Sequence, residues 1–316
     1  MAQYKRIKGC FIDIIFKLHS KCSFFLRKGV FMSIDIICPL YNAEKYIINL
    51  NSSILKQKGV DIKKIKYILT RSSDNTEILL KNNNIKYELI EPNEFSHSLT
   101  REKAAFESKA DIIVFITQDI EIKDDKWLLE LVNPIINKKV EATFSKQVSK
   151  FNNIEKYTRE KNYPDKSYIV SKKDIPKLGL RTFFFSDASS AIKRDIFVKL
   201  NGYDGKDLPT NEDMYIAYKI IMNDYKIKYC SKSVVTHSHN LTFKQLYRRY
   251  FDTGLFFKYN NYLNNYSVNS SGFALAIYTL KRTLQELNIK VLLRYPIDMI
   301  IRYKAMKDGE KYERHS

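Results

Sequence analysis

Ile112-Ile113-Val114-Phe115-Ile116 runs directly into Thr117-Gln118-Asp119-Ile120-Glu121. An unbroken apolar run rich in β-branched side chains is the pattern of a parallel strand covered on both faces. The carboxylate of Asp119 then stands just past the carboxyl end of that strand, where α/β sheets bind ligands and where a divalent cation can be held outside the core. Asp and Glu are also ordinary residues of solvated loops. Two further stations, near Pro39 and Asp213, turn the reading toward an enzyme.

Outward from this strand, apolar and amphipathic segments alternate. Ile34 to Cys38 is apolar, Glu44 to Gln57 carries Ile47, Leu50 and Ile54 on one helical face, and Ile65 to Leu69 is apolar again. Asp74 and Glu77 have capping-box spacing for a helix over Thr76 to Lys81; Ile85 to Ile90 reads as a strand, Thr100 to Ser108 and Trp127 to Ile136 as helices. Repeated βα units predict an α/β fold with a mostly parallel, doubly wound sheet and right-handed crossovers. The chain is then longer-looped through Leu180 and reaches the aromatic block Phe183-Phe184-Phe185. From Thr242 the signal is helical, basic and aromatic, with an amphipathic stretch from Leu284 to Ile301 expected to be interrupted by Pro296. The organisation expected is a basic extension over 1–31, a catalytic domain over 32–240 and a helical, membrane-associating region over 241–316.

Composition bounds the function. Hydrophobic content of 44% with only 9 Gly and 7 Pro in 316 residues excludes a disordered or fibrous chain. Lys and Arg exceed Asp and Glu by 54 to 35, a net charge of +19, which calls for an anionic partner: nucleic acid, an acidic membrane surface or a phosphorylated substrate. The shared abundance of Lys, Ile and Asn inflates that figure, and Lys is spread through every segment rather than gathered among aromatics, which argues against nucleic acid. Cys10, Cys22, Cys38 and Cys230 form no metal-ligand spacing and no disulfide framework, consistent with a reducing cytoplasm. No stretch reads as a spanning helix, and residues 1–31 read as an appendage or a basic amphipathic membrane contact.

Three stations carry chemistry. Pro39-Leu40-Tyr41-Asn42 ends the first strand and offers a stacking ring and an amide, though it also fits an ordinary strand-to-helix turn. Asp119, with Glu121 as a weaker second on the same side of an extended chain, is the metal-ligand candidate. Asn211-Glu212-Asp213 opens a helix; carboxylates are favoured there by the helix dipole alone, and one of them could equally take a proton from an attacking hydroxyl. His237 and His239 share one side of an extended segment, beside the metal or within the structural frame.

Taken in order, Cys38-Pro39-Leu40-Tyr41-Asn42, Phe115-Ile116-Thr117-Gln118-Asp119, Phe184 to Ala191, Asn201-Gly202-Tyr203, Asn211-Glu212-Asp213 and His237-Ser238-His239-Asn240 resemble family 2 glycosyltransferases, specifically their rhamnosyltransferase-like branch, from Ser33 to Lys258. The resemblance implies a GT-A fold, a nucleotide-sugar donor, a divalent cation (Mg²⁺ or Mn²⁺) and inversion by single displacement. It makes Asp119, helped by His239, the metal ligand and Asp213 the catalytic base. Pro39, Tyr41, Asn42, Gln118, Arg101, Arg248 and Arg249 become donor contacts, the last two shared with an anionic-lipid reading, and Glu212, Asp187 and His237 fall on the acceptor side or in support. Thr117 stands where the usual Asp-x-Asp motif has its first acid, and Leu69 where many relatives place a base-contacting Asp. The activity expected is transfer of L-rhamnose from dTDP-rhamnose to a lipid-linked oligosaccharide or polysaccharide of the bacterial surface, by a cytoplasmic protein peripheral to the inner face of the plasma membrane. Alternatives are a UDP-hexose transferase of the same fold and a non-catalytic basic protein binding membrane or nucleic acid.

Overall fold

The computed structural model describes residues 32–266 and 271–313; the expectations for residues 1–31 lie outside them. The first half alternates as expected: β1 (Ser33–Leu40), α1 (Ile47–Leu55), β2 (Asp61–Thr70), α2 (Thr76–Asn82), β3 (Tyr87–Ile90), α3 (Leu99–Glu107), β4 (Ile112–Ile116) and α4 (Trp127–Ile136). The second half is mixed: β5 (Ala142–Val148), α5 (Ile154–Asn162), β6 (Tyr168–Val170), α6 (Ile175–Leu178), β7 (Ser189–Lys193), α7 (Arg194–Lys199), α8 (Glu212–Met222) and β8 (Ile227–Thr236). Three helices follow, α9 (Phe243–Tyr259), α10 (Ser271–Gln285) and α11 (Ile289–Lys311).

The strands form one eight-stranded sheet in the order β3-β2-β1-β4-β7-β5-β8-β6. β7 runs antiparallel to both β4 and β5, which brings its first residues beside the last residues of β4. The apolar run of β4 is continuous because alternate residues serve different layers: Ile112, Val114 and Ile116 pack in one core, Ile113 and Phe115 in the other. Both layers are filled before the strand reaches Asp119. Functional loops therefore collect at the carboxyl edge.

Four local expectations are corrected. Pro39 does not end the ladder: β1 stays paired with β2 through Leu40, while its pairing with β4 stops at Ile37, so the missing N–H of Pro39 costs no bond there. The box at Asp74 and Glu77 does not close, because Glu77 accepts the Tyr87 hydroxyl at 2.9 Å and Asp74 instead accepts the Thr76 and Glu44 N–H groups at 3.0 Å. α11 runs unbroken through Pro296, and Leu284 belongs to the separate α10. Glu121 pairs its backbone with Thr236 and its carboxylate with Lys150 at 3.3 Å, outside the group around Asp119.

Candidate active site

The turn after β4 and the end of β8 are fastened by the Glu121–Thr236 bridge, whose two N–H···O bonds are 2.9 Å each. Residues just beyond that bridge meet across it. His237 Nε2 lies 3.5 Å from Asp119 Oδ1 and His239 Nδ1 lies 3.7 Å from Asp119 Oδ2. One donor atom from each of the three fits within 4.8 Å of the others.

Protonation at this trio is set by its neighbours. The Arg159 guanidinium can only donate, and it donates to Gln147 Oε1; Gln147 Nε2 donates to Ser186 Oγ at 2.7 Å. The amide oxygen must therefore face His237 Nδ1, 2.9 Å away, so Nδ1 carries the proton and donates. Burial, and then the positive charge of Arg159, hold His237 well below its usual range, which keeps it neutral. Burial and Arg249 depress His239 in the same direction. The Nε2 lone pair of His237 then faces a carboxylate oxygen with no proton between them. Two acceptors so opposed are the arrangement a divalent cation satisfies, and the residues fit one.

Across Ser186 lies an acidic cluster. Asp187 accepts from Ser190 Oγ at 2.6 Å and from the Tyr203 hydroxyl at 2.9 Å; burial and the Glu212 charge push its carboxyl up to about 6. Asp213, in the first turn of α8, accepts the Met214 N–H at 2.7 Å and is raised well above the usual carboxylate range by burial, Glu212 and Asp187. Glu212 is balanced by Arg101, whose Nη1 stands 3.4 Å from it and 2.7 Å from the His97 carbonyl oxygen. Arg101 is only 3% exposed, so it braces this cluster from beneath.

At the end of β1, the side-chain amide of Gln118 accepts the Tyr41 N–H at 2.7 Å and donates to the Tyr41 carbonyl at 2.8 Å, clipping the β1 and β4 loops together. Asn42 takes a left-handed conformation with φ 48 and accepts the Ser73 N–H at 3.0 Å. Tyr41 is left 54% exposed with its ring open to solvent. Pro39 is half-buried in β1, and Arg248 and Arg249 are exposed on α9. Arg249 is the one whose charge reaches both histidines; Arg248 acts on Asp252.

A cleft of about 480 Å³ opens beside these groups, with Gln147, Arg159 and Tyr163 on one wall and Tyr278 and Arg282 of α10 on the other. Tyr163 also lies within reach of the Asp213 charge. Sequence reading did not single out Gln147, Arg159 or Tyr163. Their signal exists only in three dimensions, since each acts through a residue far away in the chain.

The family model described as glycosyl transferase family 2 matches residues 35–200, more than half of the chain. The chain belongs to glycosyl transferase family 2. Within this glycosyltransferase the matched segment holds Asp119 and Asp187 and stops short of Asp213, His237 and His239. The chain is 36% identical over 229 residues, 71% of its length and 72% of the relative's, to the O-antigen chain rhamnosyltransferase RfbN of Salmonella typhimurium. The likeness to the O-antigen chain rhamnosyltransferase WbaN of Salmonella anatum is 33% over 234 residues, 73% of this chain and 74% of that one. The enzyme is thus a rhamnosyltransferase-like glycosyltransferase. Among solved structures it superposes on the mannosyltransferase PcManGT from Pyrobaculum calidifontis, in complex with GDP-Man and Mn²⁺, with a TM-score of 0.58 at 15% identity, covering 88% of this chain and 87% of that one. The fold is GT-A.

Proposed function

We propose that this glycosyltransferase moves L-rhamnose, with inversion, from dTDP-L-rhamnose to the hydroxyl of a lipid-linked saccharide in the assembly of a bacterial surface polysaccharide. What carries the reading is that Asp213 and the Asp119–His237–His239 group sit at one edge of the sheet, joined through Ser186-Asp187 and Gln147. Inversion needs a base on one face of the sugar and a stabilised leaving group on the other. The RfbN and WbaN likenesses support rhamnose as the sugar.

Asp213 takes the proton from the acceptor hydroxyl as that oxygen attacks the anomeric carbon. Its raised affinity for protons, caused by burial and by Glu212, makes it a stronger base than an ordinary carboxylate. Asp119, His237 and His239 would hold a divalent cation, which would supply positive charge to offset that of the departing diphosphate. Two imidazole nitrogens among three donors favour Mn²⁺ over Mg²⁺, which prefers an all-oxygen shell. Arg249 adds positive charge beside the diphosphate, Tyr41 stacks on the nucleobase, and Gln118 and Asn42 shape the loop that presents it. Arg101 positions Glu212 rather than touching the donor. The acceptor enters by the cleft between Tyr163 and Tyr278.

The test is transfer of rhamnose from dTDP-rhamnose to a synthetic lipid-linked acceptor, read by mass spectrometry on folded wild type and Asp213→Asn. Loss of the base lowers turnover by about 10²–10⁴. Full activity in the variant would remove Asp213 from its role.

A further inference from the structure

The most exposed apolar surface of the described residues is on the last two helices. On α11, Ile289, Leu293, Ile297 and Ile300 recur at helical spacing and are 64%, 69%, 48% and 68% exposed, and Tyr303 beside them is 67% exposed. On α10, Leu280 and Leu284 are 39% and 57% exposed, and the row continues to Leu287 in the turn at 82%. That turn joins the two helices. Such a surface exceeds scattered single exposures and marks an interaction face.

Charge identifies the partner. Between residues 277 and 304 the acids are Glu286 and Asp298, and both are turned into the protein: Glu286 pairs with Arg282 at 2.7 Å and Asp298, 3% exposed, with Arg294 at 3.1 Å. The exposed charges of the same stretch are Lys281, Lys290 and Lys304. An apolar row edged only by exposed cations is complementary to a lipid surface with anionic head groups. The row from Ile289 to Lys304 covers about 22 Å of helix at about 1.5 Å per residue. No helix among the described residues is long and apolar enough to cross a membrane, so the face lies on the surface.

We propose that the α10–α11 face seats this enzyme on an anionic bilayer, with the α11 row dipping into the head-group boundary. This rests on the reading of a lipid-linked acceptor, since α10 also forms one wall of the cleft through Tyr278 and Arg282. Seating on α10 holds the cleft close to the surface from which such an acceptor projects. On α9, Tyr247 donates to Asp308 and the Arg294 guanidinium lies over the Phe243 ring, so these two rings are engaged by α11 rather than added to its row.

The experiment is flotation of the full chain with vesicles of phosphatidylcholine alone and of equimolar phosphatidylcholine and phosphatidylglycerol. Wild type floats with the mixed vesicles and not with the neutral ones. Lys290→Gln with Lys304→Gln weakens binding about 25-fold, at about fivefold per lysine. Leu293→Glu with Ile300→Glu weakens it at least about tenfold while the melting temperature and transfer to a soluble acceptor stay unchanged. Wild type remaining with neither vesicle, or both double variants floating like wild type, would overturn the proposal. So would a dimer of wild type, dispersed by the Glu substitutions, with no vesicle binding, because the occupant would then be a second copy of the chain. Vesicle binding is read without donor or acceptor, so loss of the rhamnosyl reading leaves this result standing, and the reverse also holds.

Discussion

At the scale of single residues, the site works by placing groups that would be poor partners alone. His237 Nε2 and Asp119 Oδ1 oppose each other at 3.5 Å because Gln147 holds the imidazole proton on the far nitrogen. Gln147→Leu releases that constraint, and Mn²⁺ affinity measured by calorimetry falls about 10–100-fold, as is typical for groups supporting a metal ligand. The base has its own neighbour effect. In the proposed mechanism Asp213 acts as the carboxylate, and burial with the Glu212 charge raises its pKa, so the reading predicts that activity falls as pH drops through a limb lying above the ordinary carboxylate range. Glu212→Gln removes one of the charges that disfavour ionisation, so the acid limb of the kcat/KM profile moves to lower pH; an unmoved limb would show that Glu212 does not tune the base. Asp119 stood out in the sequence as an acid just past the end of a buried strand, whereas Asp213, at a helix start, and the alternating His237 and His239 drew their roles from the family resemblance. Gln147 and Arg159 did not stand out, since their roles depend on contacts with residues distant in sequence.

Elements bring these residues together through irregularities that periodicity does not reveal. β8 pairs with β5 in register to Cys230, then skips so that Lys146 faces Val234. The skipped Ser233 bonds inward, to Ser145 at 2.8 Å and to the Trp127 carbonyl at 3.0 Å, while the Trp127 indole donates to Ser145 and Ser189 at 3.2 and 3.1 Å. This buried knot resets the end of β8 and delivers His237 and His239 to Asp119. The alternating strands of the first half were readable because each carries its own apolar period. The antiparallel placement of β7 was not, being decided by which neighbour fills the gap beside β4. The crossing of α9 and α11 was likewise unreadable: a Cβ on Gly254 would lie 2.2 Å from the Met306 carbonyl oxygen, and one on Gly309 2.1 Å from that of Phe251. The two helix backbones touch at these glycines. Gly254→Ala therefore destabilises by about 1–3 kcal/mol as the helices part, measurable by denaturant unfolding. A melting curve identical to wild type would mean that the crossing tolerates a methyl group.

For the whole molecule, the layout follows from one edge of one sheet. Parallel strands bury both faces, leave their carboxyl ends open, and so collect the loops of β1, β4, β5 and β8 with the start of β7 around a single site. The net charge of +19 is spread over the chain, but the structure sorts it: the cations around the cleft are paired, as Arg282 is with Glu160 at 3.2 Å, whereas those beside the α11 row are open to solvent. That sorting was invisible in composition, because charge balance is a property of the folded surface. The central claim, a metal-dependent donor site for dTDP-rhamnose built on Asp119, meets its most direct test in calorimetry of the full chain with dTDP-L-rhamnose, with and without Mn²⁺, for wild type and Asp119→Asn. The account predicts binding to wild type that requires Mn²⁺ and is lost in the variant, with UDP-hexoses bound more weakly. Binding that ignores the metal and the substitution, or that favours a UDP-hexose, would contradict it.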